Sequence, residues 1–125
     1  MKKKIYYYDT DCGGVVYYAN YLKYLEEART EFLEERGILV KDLIEQGTFF
    51  VVARQEIDYK LPARYADVLE IETRLTDTSG VRANFEYEIK NQNNQTVAKA
   101  KTVLVFVDIN LKPKLIPEEV RRKIA

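Results

Sequence analysis

Two aspartates one residue apart, Asp9 and Asp11, followed by Cys12, Gly13 and Gly14, form the stretch of this chain that looks least like scaffold. The glycines leave backbone free to approach a ligand closely, and the run from Val15 to Ala19 enters a helix whose first N–H groups can meet an anion. Three kinds of chemistry fit. A hard cation is the first, since Asp9, Asp11 and Gly14 match positions 1, 3 and 6 of a calcium loop; but position 5 is Gly13, with no side-chain oxygen, and position 12 is Asn20 rather than a bidentate Glu. Aspartates that hydrogen-bond their own turn are the second, the reading that local composition alone favours. A carboxylate working beside an oxyanion-binding helix start is the third.

The rest of the composition narrows the choice. There is no histidine among the 125 residues, so no Ser-His-Asp triad, Cys-His pair or His-ligated zinc can be built, and acid-base work rests on carboxylates, Lys, Tyr or Cys12. Twenty Lys and Arg balance twenty Asp and Glu, which gives no basic excess to hold a nucleic acid; the basic run Lys2-Lys3-Lys4 reads as a strand start. The single cysteine, Cys12, forms no internal disulfide and reads as a small space-filler. No apolar run approaches the ~20 residues of a membrane span, and Lys4 leads straight into Ile5-Tyr6-Tyr7-Tyr8, so a cytoplasmic protein without membrane insertion is expected. One domain covering residues 1–125 is expected as well.

The elements that must hold the Asp9–Asn20 stretch follow from periodicity. Residues 2–8 read as a tyrosine-rich strand. From about Asn20, Tyr21, Leu25, Ala28 and Phe32 recur at helical spacing, broadened by Leu22 and Leu33, and Gly37 caps the end. Val40, Leu43 and Ile44 add a short helix before Gly47. The period then changes to two. Ala53, Ile57, Tyr59 and Leu61 alternate with Arg54, Glu56, Asp58 and Lys60 up to Pro62; Leu69, Ile71 and Leu75 alternate with Glu70, Glu72 and Arg74. Val81, Ala83, Phe85, Tyr87 and Ile89 alternate with Arg82, Asn84, Glu86, Glu88 and Lys90, and Asn91–Gln95 turns into a last strand at about 96–107. One strand, a long helix, four strands and a short helix after Pro117 make an α+β fold, its helix laid on the apolar face of an antiparallel sheet.

The string from Tyr8-Asp9-Thr10-Asp11-Cys12-Gly13-Gly14-Val15-Val16-Tyr17-Tyr18-Ala19-Asn20 to Tyr24, with Glu27-Ala28-Arg29-Thr30-Glu31-Phe32 after it, resembles the 4-hydroxybenzoyl-CoA thioesterase family. Within that family it is most similar to the Tol-Pal-associated acyl-CoA thioesterase branch. The resemblance implies the hotdog fold, in which a five-stranded antiparallel sheet wraps one long helix, and hydrolysis of acyl-CoA thioesters without a cofactor or metal. It also implies a homodimer or homotetramer. Asp11 corresponds to the essential carboxylate, acting as general base or nucleophile; the backbone N–H of Tyr18 polarises the thioester carbonyl; Gly13, Gly14 and Val15 close around the substrate. The Tol-Pal branch usually carries histidine where this chain has Tyr18, so a mechanism through that imidazole is not available here.

The chemistry tolerates its loss, because a thiolate whose thiol has a pKa near ~8.5 departs without an acid. Coenzyme A phosphates call for cations, and Arg54, Lys60, Arg64 and Arg82 are candidates, with Arg82 favoured for following the Ser79-Gly80 turn. A hotdog module that binds acyl groups without turnover is the alternative function. Retention of Asp11 counts against it.

Overall fold

The computed structural model describes residues 1–124. Strands β1 (Lys2–Lys4), β2 (Phe49–Tyr59), β3 (Val68–Ser79), β4 (Arg82–Lys90) and β5 (Thr96–Val107) form one antiparallel sheet in the order β1-β3-β4-β5-β2, with helices α1 (Asn20–Glu35), α2 (Val40–Glu45) and α3 (Glu118–Ile124). Bulges at Val52/Arg54 and Leu75/Asp77 increase the local twist and help the sheet curl. This is the α+β arrangement expected, a long helix embraced by five strands.

Helix α1 forms where the apolar positions recur at helical spacing, and it buries Tyr21, Tyr24, Leu25, Ala28, Phe32 and Leu33 against the inner sheet face. Phe32 meets Phe85 edge to face at 5.6 Å, and Leu25, Leu69, Ile71 and Ile89 are sealed from solvent. Each such side chain contributes about 1.5–3 kcal/mol by leaving water. The helix stops in a Schellman turn: the Gly37 N–H donates to Glu34 O, the Ile38 N–H donates to Leu33 O, and Ile38 and Leu33 are both buried. At the far end α3 adds Val120 and Ile124 to the same core. The opposite face of the sheet is wet, with Glu86 between Arg74 and Lys101 at 3.3 and 3.6 Å. Among the described residues no helix is long and apolar enough to cross a membrane.

Three expectations need correction. The first strand ends at Lys4, and Tyr7–Asp9 coils into a single 3-10 turn, because the Asp9 carboxylate accepts the Tyr6 N–H at 2.8 Å and pulls the chain round. Leu22 does not broaden the buried stripe; it is half exposed, pointing off the helix face that meets the sheet. Strand β2 starts at Phe49, directly after Thr48, and the bulge after Val52 resets its side-chain parity. Ala53 and Tyr59 are exposed on β2, as is Leu61 just beyond it, because β2 is an edge strand.

Candidate active site

The segment between the 3-10 turn and α1 is knotted onto the ends of the sheet. Thr10 and Val16 bridge each other, the Asp11 N–H donates to Val15 O, and the Gly14 N–H donates to Asp11 O, closing a tight loop around Cys12 and Gly13. The loop is fastened at Val16, whose N–H donates to Ala63 O at 2.8 Å, and at the bridge between Val15 and Arg64. Gly14 sits at φ +78°, a conformation that side chains resist. At Gly13 an added Cβ would stand 3.2 Å from Asp11 Oδ1, which is occupied by the Gly13 N–H itself at 2.8 Å. The short polar turn therefore leaves Asp11 exposed, with one carboxylate oxygen oriented by the backbone.

Asp9 plays a different part. Its side chain is buried, its carboxylate takes the Tyr6 N–H, and its carbonyl accepts both the Tyr17 N–H at 3.0 Å and Asn20 Nδ2 at 2.8 Å. That double acceptor ties the Asp11 loop to the entrance of α1. The Tyr24 hydroxyl is buried near the Asp9 carboxylate but outside hydrogen-bond geometry.

The start of α1 is open. No side chain caps it, Ala19 occupies the cap position, and no acidic residue lies in its first turn. Among the described residues the N–H groups of Tyr18 and Ala19 have no protein acceptor. Both point out of a helix entrance whose dipole favours negative charge. Tyr59, at the end of β2, donates its hydroxyl to Tyr18 O at 3.1 Å and packs on Tyr21 at 5.3 Å, so the sheet edge pins the entrance in place. Sequence reasoning missed Tyr59 and Asn20 as positioning residues, because both work through contacts distant in sequence; the only signal is the tyrosine richness of the chain.

The structure thus brings Asp11, Gly13, Gly14, Val15 and Tyr18 together at one end of the sheet. Arg82 is not with them. It opens β4 opposite Val105, at the level of Val51, whereas the loop lies beyond Tyr59, which pairs with Ala98. Seven residues of β4 separate the two levels, about 23 Å within one chain. Arg64 adjoins the loop directly, Arg54 is engaged by Glu56, and Lys60 is exposed at the end of β2. Cys12 is exposed on the loop and fills no space in the core, since the turn carries it outward. Asp9 and Asp11 do not share a pocket, and among the described residues no group of three or more His, Cys, Asp or Glu could hold a metal ion.

The buried tyrosines around the site have a measurable consequence. Burial pushes the hydroxyls of Tyr21 and Tyr24 above their ordinary value, helped at Tyr24 by the Asp9 carboxylate; burial does the same at Tyr87, partly offset by the Arg29 charge. A raised folded-state pKa means that stability is fully present below the unfolded value of about 10 and is lost as pH climbs past it. These three hydroxyls are expected to ionise only as the fold melts, so that the final rise in tyrosinate absorbance coincides with loss of the circular dichroism of the fold. One smooth transition with the fold intact would contradict it.

The chain is similar to several known proteins. Residues 6–124 match the model of the thioesterase-like superfamily. The acyl-CoA thioester hydrolase YbgC of Escherichia coli is 37% identical over 118 residues, covering 94% of this chain and 88% of that protein. A hypothetical protein of Aquifex aeolicus superposes with a TM-score of 0.94 at 33% identity, covering 100% of this chain and 98% of that one. The 1,4-dihydroxy-2-naphthoyl-CoA thioesterase of Synechocystis superposes at 0.92 with 27% identity, over 99% of this chain and 93% of that one. By the extent of the family match and the identity of its relatives, the chain belongs to the thioesterase-like superfamily, and its curled sheet around α1 is the hotdog fold.

Proposed function

We propose that this protein hydrolyses acyl-CoA thioesters to a free acid and coenzyme A, with Asp11 as the essential carboxylate and the Tyr18 N–H as oxyanion donor. The observation that carries this reading is the pairing of an exposed, backbone-oriented carboxylate with an uncapped helix entrance, tied together through Asp9 and Asn20. The thioester carbonyl sits on the free N–H groups of Tyr18 and Ala19, which strengthen their hold as negative charge develops on its oxygen. Asp11 takes a proton from water as the water oxygen attacks, the C–S bond breaks, the thiolate leaves unprotonated and the acid is free; or Asp11 attacks the carbonyl itself, the thiolate leaves, and water then hydrolyses the acyl-Asp11 anhydride to the acid and the restored carboxylate. No cofactor enters the reaction. The similarity to acyl-CoA thioester hydrolases supports the same class of substrate. A cytoplasmic setting is part of the proposal and fits a lone, exposed Cys12.

The working unit is a homodimer or a dimer of dimers. Strand β2 presents an unpaired edge carrying Val51, Val52 and Tyr59, which are 38–51% exposed. Such an edge is a template for a second copy. Antiparallel pairing of two β2 strands aligns the Phe49 end of one with the Tyr59 end of the other. It therefore carries the partner subunit's Arg82 to the end of the sheet where Asp11 stands, a few strand spacings of about 4.8 Å away. In this arrangement Arg82 meets the nucleotide phosphates at arm's length from the thioester.

A hydrolysis screen over aromatic, short-chain and long-chain acyl-CoAs tests the function: turnover of at least one class is expected, and binding without turnover would replace it with the acyl-binding alternative. Arg82→Ala is expected to raise KM for acyl-CoA while changing kcat little, since contacts remote from the carbonyl hold ground and transition states alike. With a pantetheine thioester lacking the nucleotide the effect should vanish. An equal rise in KM for both substrates would remove Arg82 from the phosphate site.

A further inference from the structure

Beside α1, near the free edge of β2, lies a cavity of about 270 Å³ lined by Glu26, Arg29, Thr30, Leu33, Val40, Phe50, Val52 and Leu104. Its volume is several times the roughly 30 Å³ that one water occupies in the liquid. Leu33, Val40, Phe50, Val52 and Leu104 make it mostly apolar, as acyl-binding walls must be.

Arg29 is out of character with those walls. It is half-buried on the sheet side of the helix, where its Nη1 donates to the hydroxyl of buried Tyr87 at 3.2 Å. Tyr87 is neutral, and burial keeps it so by raising its pKa. Among the described residues no carboxylate forms an ion pair with Arg29, and its other N–H donors meet no protein acceptor. Glu26, the one carboxylate on the cavity wall, is exposed and makes no such pair. With one neutral protein acceptor and its other donors still reached by solvent, the half-buried guanidinium is free to take an anion that enters the cavity. Its planar fork suits a carboxylate, which it can hold by two parallel bonds.

We infer that this cavity receives the far end of the acyl group and that Arg29, steadied by Tyr87, selects acyl chains ending in a carboxylate: the preferred substrates are mono-CoA thioesters of dicarboxylic acids. The inference rests on the thioesterase and dimer readings above. Antiparallel pairing at β2 sets the half-strand bearing Phe50 and Val52 in one copy against the Tyr59 half of the other, so each copy's cavity faces the other's Asp11 end. An acyl chain ending in a methyl group would displace water from the guanidinium and return no bond. One ending in a carboxylate restores the lost hydrogen bonds and pairs the charge.

The test uses the full-length protein with adipoyl-, suberoyl- and sebacoyl-CoA against hexanoyl-, octanoyl- and decanoyl-CoA, which match them in length. At the best-fitting length kcat/KM is expected to favour the acid-terminated substrate by at least ~10-fold, the gain of a site built around a polar group. Arg29→Gln should lower that ratio by at least ~10-fold, and Arg29→Lys should retain part of it. A purely structural Arg29 would instead lower both rates together and leave the ratio unchanged, which overturns the inference. Equal or faster hydrolysis of the methyl-terminated substrates by the wild-type protein at every length overturns it without any variant, and leaves the thioesterase reading standing. Hydrolysis of neither series, nor of any substrate in the broader screen, removes both.

Discussion

Asp11→Asn is expected to lower kcat by at least ~100-fold while leaving the fold intact, the scale set by loss of a general base. The structure explains why the two effects should separate. Asp11 is exposed, and among the described residues its side chain makes one hydrogen bond, accepting the Gly13 N–H on Oδ1, which an asparagine Oδ1 accepts equally well. The loop keeps its shape, and a change at such a surface position usually shifts stability within about 0.5 kcal/mol. Thermal melting should therefore be nearly unchanged, while the chemical step loses the group that takes a proton or attacks. Asp9→Asn is the control with the opposite signature. Asp9 is buried and its carboxylate holds the Tyr6 N–H, so exchanging that charged acceptor for a neutral amide is expected to cost on the order of 1 kcal/mol of stability but to spare much more of kcat. Large and equal losses of kcat at both positions, with both variants folded, would mean that the two carboxylates act as a pair.

Val52→Lys is expected to turn the protein into a monomer and to reduce hydrolysis by roughly 100-fold, the order of loss that follows when reacting groups are held slightly out of place. Val52 is half exposed on the unpaired edge of β2, beside the bulge. A lysine there keeps its ammonium in water and blunts the edge against pairing. Its own fold should be spared, because the ladder with β5 lies on the strand's other side. Sedimentation gives the mass, and activity measured over a dilution series of the wild-type protein should fall along the same curve as the dimer dissociates. Full activity in a monomer would show that Asp11 and Tyr18 of one chain suffice.

Much of the scaffold was legible from periodicity. The stripe of Tyr21, Leu25, Ala28 and Phe32 foretold α1, Gly37 foretold its end, and the alternation from Val81 to Lys90 reproduced the in-and-out pattern of β4. These elements obey local rules, because each has one face on the core and one in water. The Asp9–Asn20 segment was legible as something other than scaffold through its residue types, while the separate parts of its two aspartates were visible only in their burial and partners.

What the sequence determined by itself is therefore the set of elements, the absence of imidazole chemistry and the stretch that carries the reactive carboxylate. All three depend on residue type and on spacing within a short window. Tertiary structure alone decided that β2 is a bare edge, that Tyr59 pins the helix entrance, that Arg82 stands far from Asp11 in its own chain, and that Arg29 faces a mostly apolar cavity without an ion-pair partner among the described residues. Each of these is a relation between residues far apart in the chain, set by the order and register of the strands. Periodicity shows which face of an element is apolar, but it does not say which other element will cover that face or leave it open.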